Sequence, residues 1–506
     1  MLQGGRRENL PFPQGKRRSV KLVFCALAGL LGGCDMGPAY KPDSGPVPAA
    51  FRAAEAGQSA VWPDEAWWHG FASPELTGLI EAARAYNLDI AAAIARTRQA
   101  DAQLRIAGAA LLPNLSGTGG ANWQHQGGGT NSAIGRARDL HSYSVGLNAS
   151  YELDFWGKAA ASRQAAVSNA VFSRYDRQTV TLTVVANVAT TWFTALALAD
   201  RLRIAERTLA DAQQVLAVFR GRRDAGTAND LDVAQQETFV ATSRATIPNL
   251  RNQLEQALIG LGILTGQPPE SVSVRPGTLE TILLPPVAPG LPSDLLTRRP
   301  DVASAEASLM AKNFNIKLAR AAFFPSIQLT ASDGFQAASL ATLIGPGGAL
   351  MSLAAGLTAP IFDGGTLRGQ LELANGQYDE QLANYQKAVL QAFTDTDNAL
   401  TAWRYTSQQE ALEETAVRQA RRAASIARAQ MAAGTVDITT VLTTETTLLN
   451  NEDTLAQVRL ARADALIGLY KALGGGWQRP TEAPRPLLSP GTLGGAVALP
   501  VGGNLR

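Results

Sequence analysis

The chain is poor in the residues that most catalytic and metal sites need. Its 506 residues include only two cysteines, three histidines and 17% charged residues. The histidines, His69, His125 and His141, lack the spacing of metal ligands. The sequence contains no Gly-rich phosphate loop that opens a helix, no nucleophile elbow and no paired acidic motif. We therefore predict that the protein is not an enzyme and has no catalytic, cofactor or metal site.

The net charge is small, and its basic part lies in one segment. The formal charge is +2, while the first 33 residues hold six Lys or Arg and one Glu. The remainder is therefore slightly acidic, which argues against a nucleic-acid partner. Ala, Thr, Gln and Asn take the place of charges on the helices, which suits close helix packing around a wet interior.

The N-terminus has the pattern of a bacterial secretory signal. A basic region precedes an apolar core from Leu22 to Leu31, which is too short to span a bilayer because a span needs about 20 residues. The core ends in Leu-Gly-Gly-Cys34, which resembles the lipobox of bacterial lipoproteins; the alternative is a chance cysteine. We predict that residues 1–33 are a signal peptide and that Cys34 carries acyl chains. Since Cys25 would be removed, no intramolecular disulfide can form.

Two stretches of the sequence are similar to each other. Residues 225–266 align without a gap with the stretch 208 residues later, and 14 of 42 positions are identical. Both begin with Ala-Gly-Thr and contain Ala-Leu-Ile-Gly-Leu near the end. Such a repeat indicates a duplicated structural unit. The predicted organisation after the signal is a lipidated tether (34–70), repeat 1 (71–266), a Pro-rich connector (267–293), repeat 2 (294–477) and a C-terminal tail (478–506).

Each repeat contains β segments with a period of two. Apolar residues alternate with small or polar ones over 142–153 and again over 352–361. An earlier partner precedes each segment, near 113–119 and 325–332, across a Gly-rich loop at 126–138 or 334–348. The pattern predicts two hairpins, and thus four strands per chain.

The strand pattern fits either a transmembrane barrel or a soluble sheet with one solvated face. A barrel strand needs about 9–11 tilted residues, which these segments supply. Four strands cannot close a barrel, and open sheet edges are not tolerated in lipid. A barrel made from this chain therefore requires an oligomer, and three chains would give twelve strands.

Long helices are predicted after each hairpin. Residues 158–222 and 366–431 lack proline, and the second would span about 100 Å at 1.5 Å per residue, as a coiled-coil tube or stalk does. A helical run is also predicted over 74–112, and Pro248 is expected to kink a returning helix. The uncharged window 179–198 is not predicted to cross a membrane, because it is rich in Thr and its counterpart in repeat 2 is charged.

Several motifs occur in order along this duplicated frame. They are Leu31-Gly-Gly-Cys34 followed by Gly37-Pro38 and Tyr40, Arg298-Arg299-Pro300-Asp301-Val302 with Ala305-Glu306, Phe324-Pro325-Ser326, Pro360-Ile-Phe-Asp-Gly-Gly365, and Leu469-Tyr-Lys-Ala-Leu-Gly-Gly-Gly-Trp477. Together they resemble the outer membrane efflux factor family, the TolC-type channels, and within it the lipoprotein branch of the NodT and OprM type. The resemblance covers nearly everything from Cys34 to Trp477.

The resemblance implies a mixed α/β membrane protein with an internal two-fold repeat. A homotrimer would combine a twelve-stranded transmembrane β-barrel, four strands per chain, with a long antiparallel α-helical coiled-coil barrel in the periplasm. It would be lipid-anchored in the outer membrane, although Asp35 after the lipidated cysteine is associated with inner-membrane retention in enteric bacteria. Its partners would be a periplasmic adaptor and an inner-membrane transporter of the RND type. The duct would passively export small molecules whose identity the sequence does not give.

The resemblance also implies sites at two turns. Family members meet the adaptor through such turns, here Ala225, Gly226 and Thr227, and Ala433, Gly434 and Thr435. The residues beyond them form the candidate periplasmic gate: Asp230, Asp232, Asp437, Thr440 and Thr443. A ring of like carboxylates would favour cations. The alternatives are that the glycines only shape helix–helix turns and that the acids only stabilise helix N-termini.

Two other functions compete with an efflux duct. One is a lipid-anchored periplasmic coiled-coil scaffold or adaptor without a pore, which would have one helical hairpin and a β domain like a lipoyl module. The other is a type I secretion exit channel, which the sequence does not separate from the efflux duct.

Overall fold

The computed structural model describes residues 40, 43–52, 61–127, 138–275, 277–286, 290 and 292–480. Cys34, Asp35, the signal peptide, most of the first Gly-rich loop and the tail from residue 481 lie outside this part of the chain. The predictions made for them therefore remain predictions.

Long helices dominate the described chain and alternate with two pairs of strands. In chain order the elements are α1 (Pro74–Tyr86), α2 (Leu88–Ala109), β1 (Asn114–Gln126), β2 (Arg138–Leu153), α3 (Lys158–Asp224), α4 (Asp230–Thr265), α5 (Pro292–Arg298), α6 (Pro300–Ala321), β3 (Ser326–Ala337), β4 (Ala349–Thr358), α7 (Thr366–Ala432) and α8 (Ile438–Ala472).

Corresponding helices of the two predicted repeats begin and end at nearly constant distances along the sequence. Both α3 and α7 have 67 residues, and α7 begins and ends 208 positions after α3. Likewise, α2 and α6 both have 22 residues and lie 212 positions apart. The bounds of α3 and α7 lie within two residues of those predicted for the two long helices.

Several predicted boundaries differ from the structure; for example, β1 and β3 run to Gln126 and Ala337, beyond the predicted 119 and 332. The helical run 74–112 is two helices, because the side chain of Asn87 accepts hydrogen bonds from the backbone N–H groups of Asp89 (2.9 Å) and Ile90 (3.1 Å) and so starts a new helix. Strand β4 ends at Thr358, three residues before the predicted end. The connector 267–293 ends inside α5, which begins at Pro292.

Part of the predicted tether belongs to the core. Trp67 and Trp68 lie in a short 3₁₀ helix, and each is only 4% exposed. The ring of Trp67 stacks on Tyr470 with centroids 4.8 Å apart. Because large aromatic rings contribute much buried apolar area, this segment is part of the fold and not a free linker.

The chain divides into two compact units, and each draws on both predicted repeats. Of the described residues, the strand unit contains residue 40 and those within Gln99–Ala170 and Ser308–Leu382. The helix unit contains the described residues within Asp43–Arg98 and Val171–Ala307 and residues 383–480.

The strand unit holds one antiparallel sheet in the order β1-β2-β3-β4. Every register pairs odd-numbered residues with odd-numbered ones, as in Leu115 opposite Ala149, Tyr151 opposite Leu329 and Leu329 opposite Ala355. Odd positions therefore share one face, which is mainly apolar, while even positions are mainly small or polar. The alternation predicted from sequence thus extends across all four strands.

A tryptophan fastens the two hairpins of the strand unit together. Trp156 Nε1 donates a hydrogen bond to the Pro325 carbonyl (2.6 Å), and its ring stacks on Phe324 at 4.8 Å. Nearby, Asp154 accepts hydrogen bonds from the Ala159 and Ala160 N–H groups and so begins α3.

The core of the helix unit lies around the middle of α3. That helix contains one stretch long and apolar enough to cross a membrane, but 61% of the stretch is buried inside the protein. Val188, Ala189, Trp192 and Phe193 are all at most 2% exposed. The burial agrees with the prediction that this window does not cross a membrane. Helix α4 continues through Pro248, and the kink there remains a prediction.

A buried arginine joins three segments of the helix unit. Arg299 donates hydrogen bonds to Asp301 (2.6 and 3.0 Å), Asp395 (3.0 Å) and the Ala472 carbonyl (3.1 Å). Its side chain is 8% exposed. Burial alone lowers the pKa of Arg299, but the two carboxylates outweigh burial and hold the pKa above its ordinary value.

We predict that Arg299→Met strongly destabilises the helix unit. It would leave two carboxylates without their cation. Breaking a fully buried ion pair costs about 3–5 kcal/mol, and the cost here should be smaller because Asp301 and Asp395 are 34% and 36% exposed to solvent. Thermal unfolding followed by circular dichroism measures the change. The control is Arg251→Met, which removes an exposed pair with Glu206 and should cost at most about 1 kcal/mol. Equal effects of the two substitutions would contradict the prediction.

A half-buried carboxyl in α8, that of Asp464, has its pKa raised because its burial is not offset by a charged partner. Burial raises the pKa of Asp464 to about 6, against a smaller lowering by a hydrogen bond with Thr190. Oδ1 of Asp464 has no hydrogen-bond partner among the described residues. The folded state therefore holds this proton more tightly than the unfolded state, whose carboxyl has a pKa near 3.9.

We predict that Asp464→Asn stabilises the protein at neutral pH. Stability should fall as pH rises from about 4 to 6, because the carboxyl must ionise while buried; the penalty at neutral pH is on the order of 2–3 kcal/mol. The uncharged variant should thus unfold at a higher temperature at pH 7.5 and lose its advantage below about pH 4. An advantage independent of pH would show that packing, and not ionisation, is responsible.

Candidate functional site at the two helix turns

The two predicted docking turns have nearly identical backbone geometry. Gly226 has φ of 75° and Gly434 has φ of 74°. No atom lies within 4 Å of a Cβ built at either glycine. The left-handed backbone, and not crowding, therefore favours glycine at both positions.

A threonine closes each turn by the same pair of hydrogen bonds. The N–H and the hydroxyl of Thr227 both donate to the Arg222 carbonyl, at 2.8 and 3.0 Å. Those of Thr435 both donate to the Gln430 carbonyl, at 2.9 and 3.0 Å. These contacts satisfy carbonyls at the helix C-termini and leave Ala225, Ala433 and the glycines exposed.

One apolar cluster lies beneath both turns and brings them together. Its buried members come from α3, α4, α7 and α8: Ala212, Leu216, Phe219, Val233, Val240, Ala427, Met431, Ile438 and Val441. Because the residues flanking both turns pack into this cluster, the two exposed loops are presented on one support.

The acids of the candidate gate lie at helix starts. Asn229 caps α4 by accepting from Asp232 N–H (2.8 Å), while the Asp232 carboxylate accepts from Asn229 N–H (3.3 Å). At the corresponding position Asp437 caps α8 and accepts from the N–H (3.0 Å) and hydroxyl (2.8 Å) of Thr440. These contacts are the capping arrangement that was one alternative for the acids.

The remaining gate candidates make no capping bond of their own. Asp230 is exposed at the first position of α4, and the Thr443 hydroxyl donates to the Thr439 carbonyl at 2.8 Å. The backbone N–H of Thr440, followed by its hydroxyl, lowers the pKa of Asp437, so this side chain is charged at neutral pH. Capping and a ring of charges are compatible, and the gate remains a prediction.

A charged contact that the sequence analysis did not single out lies close to the turns. Arg428 of α7 binds Glu445 of α8 and also donates to Asp211 of α3 at 3.0 Å. Its hydrogen bond with Glu445 is the main cause that raises the pKa of Arg428. Arg428 therefore connects the second helical pair to a helix of the first.

The internal repeat of the sequence contains a signal that predicts the pair of Arg428 and Glu445. Arg220 and Glu237, at 208 positions before Arg428 and Glu445, form the corresponding pair at 2.6 Å. That earlier pair is about half exposed on both sides, whereas the Glu445 side chain is 10% exposed. The recurrence of an Arg and a Glu at matched positions predicts the pair of Arg428 and Glu445. It does not predict the additional contact of Arg428 with Asp211.

We predict that the charge and the capping role of Asp437 can be separated. Asn occupies the equivalent position 229 and caps α4, so Asp437→Asn should preserve the start of α8, whereas Asp437→Ala should not. Hydrogen–deuterium exchange of the first turn of α8 should be unchanged in the Asn variant and faster in the Ala variant. Equal exchange in both variants would refute the capping role.

The comparisons with known proteins agree with one another. A family model described as outer membrane efflux protein matches residues 79–267 and 291–475. The pyoverdine export outer membrane protein OpmQ of Pseudomonas aeruginosa is 40% identical over 466 residues, which cover 91% of this chain and 97% of that protein. The cation efflux system protein CusC of Escherichia coli O6:H1 is 30% identical over 464 residues, covering 90% and 99%.

A solved structure extends the likeness to three dimensions. The open state of the Neisseria gonorrhoeae MtrE outer membrane channel matches with a TM-score of 0.79 and 30% sequence identity. The match covers 89% of this chain and all of that one. The family resemblance drawn from the sequence motifs is thereby confirmed.

Proposed function

This chain belongs to the outer membrane efflux protein family, and we propose that three copies of it enclose one continuous duct. The protein is an exit channel of the outer membrane, and the comparisons favour this role over the pore-free scaffold. Family members of this kind work with adaptors and inner-membrane transporters in tripartite pumps.

The sheet of the strand unit is the observation that carries the proposal. It has one mainly apolar face, and within the described part of the chain its outer strands, β1 and β4, each have a neighbouring strand on one side only. In a bilayer such edges must be paired, and only a closed barrel pairs every strand. Three chains supply twelve strands, with the apolar odd-numbered face toward lipid and the even-numbered face toward water.

The helices carry the duct into the periplasm in this proposal. Their exposed surfaces contain many small and uncharged polar residues, which allows helices of neighbouring copies to pack closely. The two turns at residues 225–227 and 433–435 form the surface for a periplasmic adaptor. Their exposure and their common apolar support favour contact with the end of another hairpin.

The gate and the anchor complete the proposal. Asp230 and Asp437, one near each turn, would place carboxylates around the periplasmic entrance, where like charges favour cations. Cys34 would add acyl chains that hold the N-terminus at the membrane. The inner-membrane partner is an RND-type transporter, and no cofactor takes part.

Selectivity for cargo is assigned to the partner transporter. The names of two relatives specify different cargo, pyoverdine for OpmQ and cations for CusC. Because relatives of this chain carry such different cargo in their names, we propose that the duct itself discriminates little among small molecules.

We predict that the purified protein is a trimer with discrete, small conductance steps in a planar bilayer. The double variant Asp230→Asn, Asp437→Asn should change the conductance and reduce cation preference, because two carboxylates per chain leave the entrance. Native mass spectrometry and single-channel recording measure both properties. The matched control is Asp379→Asn, an exposed acid on α7 in the strand unit, which should leave both properties unchanged.

Two outcomes would overturn parts of the proposal. A protein that is monomeric or dimeric in every mild detergent and never conducts would remove the duct. A conducting trimer that is insensitive to the two aspartates would retain the duct and remove the acidic gate.

A further inference from the structure

The geometry points to an oxyanion-binding site in the helix unit, where Arg203, Arg207 and Arg421 line a cavity of about 250 Å³. Its ligand is a phosphate group, either free phosphate or the phosphate of a small organic molecule. The inference concerns a single chain and does not depend on the proposed trimer or its duct.

The three arginines come from two helices and surround one cavity. Arg203 and Arg207 lie four residues apart on α3, and therefore on the same face of that helix. Arg421 lies on α7. Thr278, in the segment between α4 and α5, lines the same cavity. Segments far apart in the sequence thus bring three cations to one place.

Two buried carboxylates hold the guanidinium groups. Glu452 of α8 accepts hydrogen bonds from Arg207 (2.5 Å) and Arg421 (2.6 Å), and its side chain is 6% exposed. Asp200 accepts from Arg203 at 2.5 Å and is 7% exposed. Because a side chain that is already held loses less freedom when it binds a ligand, these arginines are preorganised.

The accessible part of this cluster is positive, although its carboxylates nearly balance its charge. The side chains of Arg203, Arg207 and Arg421 are 63%, 55% and 62% exposed, whereas both carboxylates are almost wholly buried. Within the described part of the chain, each of these arginines donates one hydrogen bond, from its Nη2 atom. Since a guanidinium has five N–H donors, most of them remain available to a ligand.

The other charged residues of the cavity, Glu280 and Arg459, do not cancel this positive charge. Arg459 donates to Glu410 (3.2 Å) and Glu414 (3.1 Å) and lies 3.8 Å from Glu280, so its charge is neutralised by acids outside the cluster. Three arginines then face two carboxylates, and one positive charge remains for an anion.

Three guanidinium groups around one cavity match a phosphate better than a carboxylate. A carboxylate has two oxygens, which a single arginine fork satisfies, whereas a phosphate offers at least three acceptor oxygens in different directions. The cavity also exceeds the share of one water molecule in the liquid, about 30 Å³, several times over. It therefore admits a small organic phosphate as well as free phosphate.

The internal repeat indicates that the cluster is not required for pairing the helices. A shift of 208 positions takes Arg207 to Thr415 and takes Glu452 back to Arg244. The two predicted repeats thus share the long helices but not these charges. An arrangement present in only one repeat needs a reason other than the helix pairing that both repeats have, and ligand binding supplies one.

Isothermal titration calorimetry of the full-length protein in mild detergent tests the site. The probes are inorganic phosphate and, separately, glycerol 3-phosphate, at an ionic strength held constant with sodium chloride so that screening does not change. We expect saturable binding of one phosphate per chain. Arg421→Gln should weaken it about tenfold, because it removes a charge-assisted contact. Glu452 keeps Arg207 in this variant, so the fold should persist.

Two further substitutions on α7 control for charge and for position. Arg418→Gln removes an exposed arginine three residues before Arg421 that donates to Thr415 and does not line the cavity, and it should leave phosphate binding unchanged. Arg421→Lys keeps the charge but loses the fork, and it should recover only part of the affinity. Circular dichroism at the titration temperature shows that each variant is folded.

A variant of the buried acid separates a preorganised site from a diffuse basic surface. Glu452→Gln removes a negative charge and, with it, the carboxylate that holds Arg207 and Arg421. Preorganisation predicts weaker phosphate binding in this variant. For a diffuse basic surface, the loss of a negative charge would tighten binding.

Each result has a distinct meaning. Equal affinity for the two probes assigns the site to free phosphate, and tighter binding of glycerol 3-phosphate assigns it to an organic phosphate. The site would be overturned if neither probe bound saturably to the folded protein, if Arg421→Gln and Arg418→Gln lost equal affinity, or if Glu452→Gln bound more tightly. None of these results bears on the proposed duct, which oligomeric state and conductance test.

Discussion

The need to pair backbone groups where water is absent governs the strand unit. Each sheet edge presents N–H and C=O groups that a bilayer cannot satisfy. A chain with four strands has two such edges and cannot remove them alone, whatever its side chains. In the proposed barrel, the alternation of apolar and polar residues sets which face meets lipid, and the edges of the sheet are paired by further copies. In that proposal the backbone alone requires an oligomer, before any side chain is considered.

The helix unit depends on packing together with a few buried charges. Trp67, Trp192 and Phe193 lie in its largest apolar cluster, and Arg299 connects α7 and the end of α8 to the start of α6. The Arg-Arg-Pro-Asp motif has a physical reason in this arrangement, because it places Asp301 two residues from Arg299, where the two side chains pair. No charged partner of Asp464 lies in the described part of the chain, and burial raises the pKa of its carboxyl.

Much of the fold could be predicted because its signals are long. The absence of proline over 158–222 and 366–431 located two helices, and a period of two located β2 and β4. The helix break at Asn87 was missed, because it depends on a side chain capping the backbone and not on periodicity. The core position of Trp67 was also missed, because its stacking partner Tyr470 is about four hundred positions away. Pairs of this kind follow from the tertiary fold and leave no local pattern.

The candidate site was predictable in part, because the internal repeat marks its position in the sequence. Both Ala-Gly-Thr turns could be located because the repeat marked them, and their glycines adopt the left-handed backbone. The contact of Arg428 with Asp211 was not predicted, since repeat symmetry relates Arg428 only to its own hairpin partner. Helix capping by Asp437 was one of two alternatives, and only the coordinates place Thr440 against its carboxylate. Function required the family comparison, because an exit duct has no reacting group to recognise.

The indole of Trp156 has a consequence for how the ring holds together. It ties the two hairpins of one chain by its hydrogen bond to Pro325 and its stacking on Phe324. At the corresponding place in the second repeat stands Gly364, which has no side chain to do the same. In the proposed ring, three of the six hairpin junctions would therefore be clasped and three would not. The unclasped junctions are the ones between chains, so the ring should come apart along its subunit boundaries and release intact four-stranded sheets.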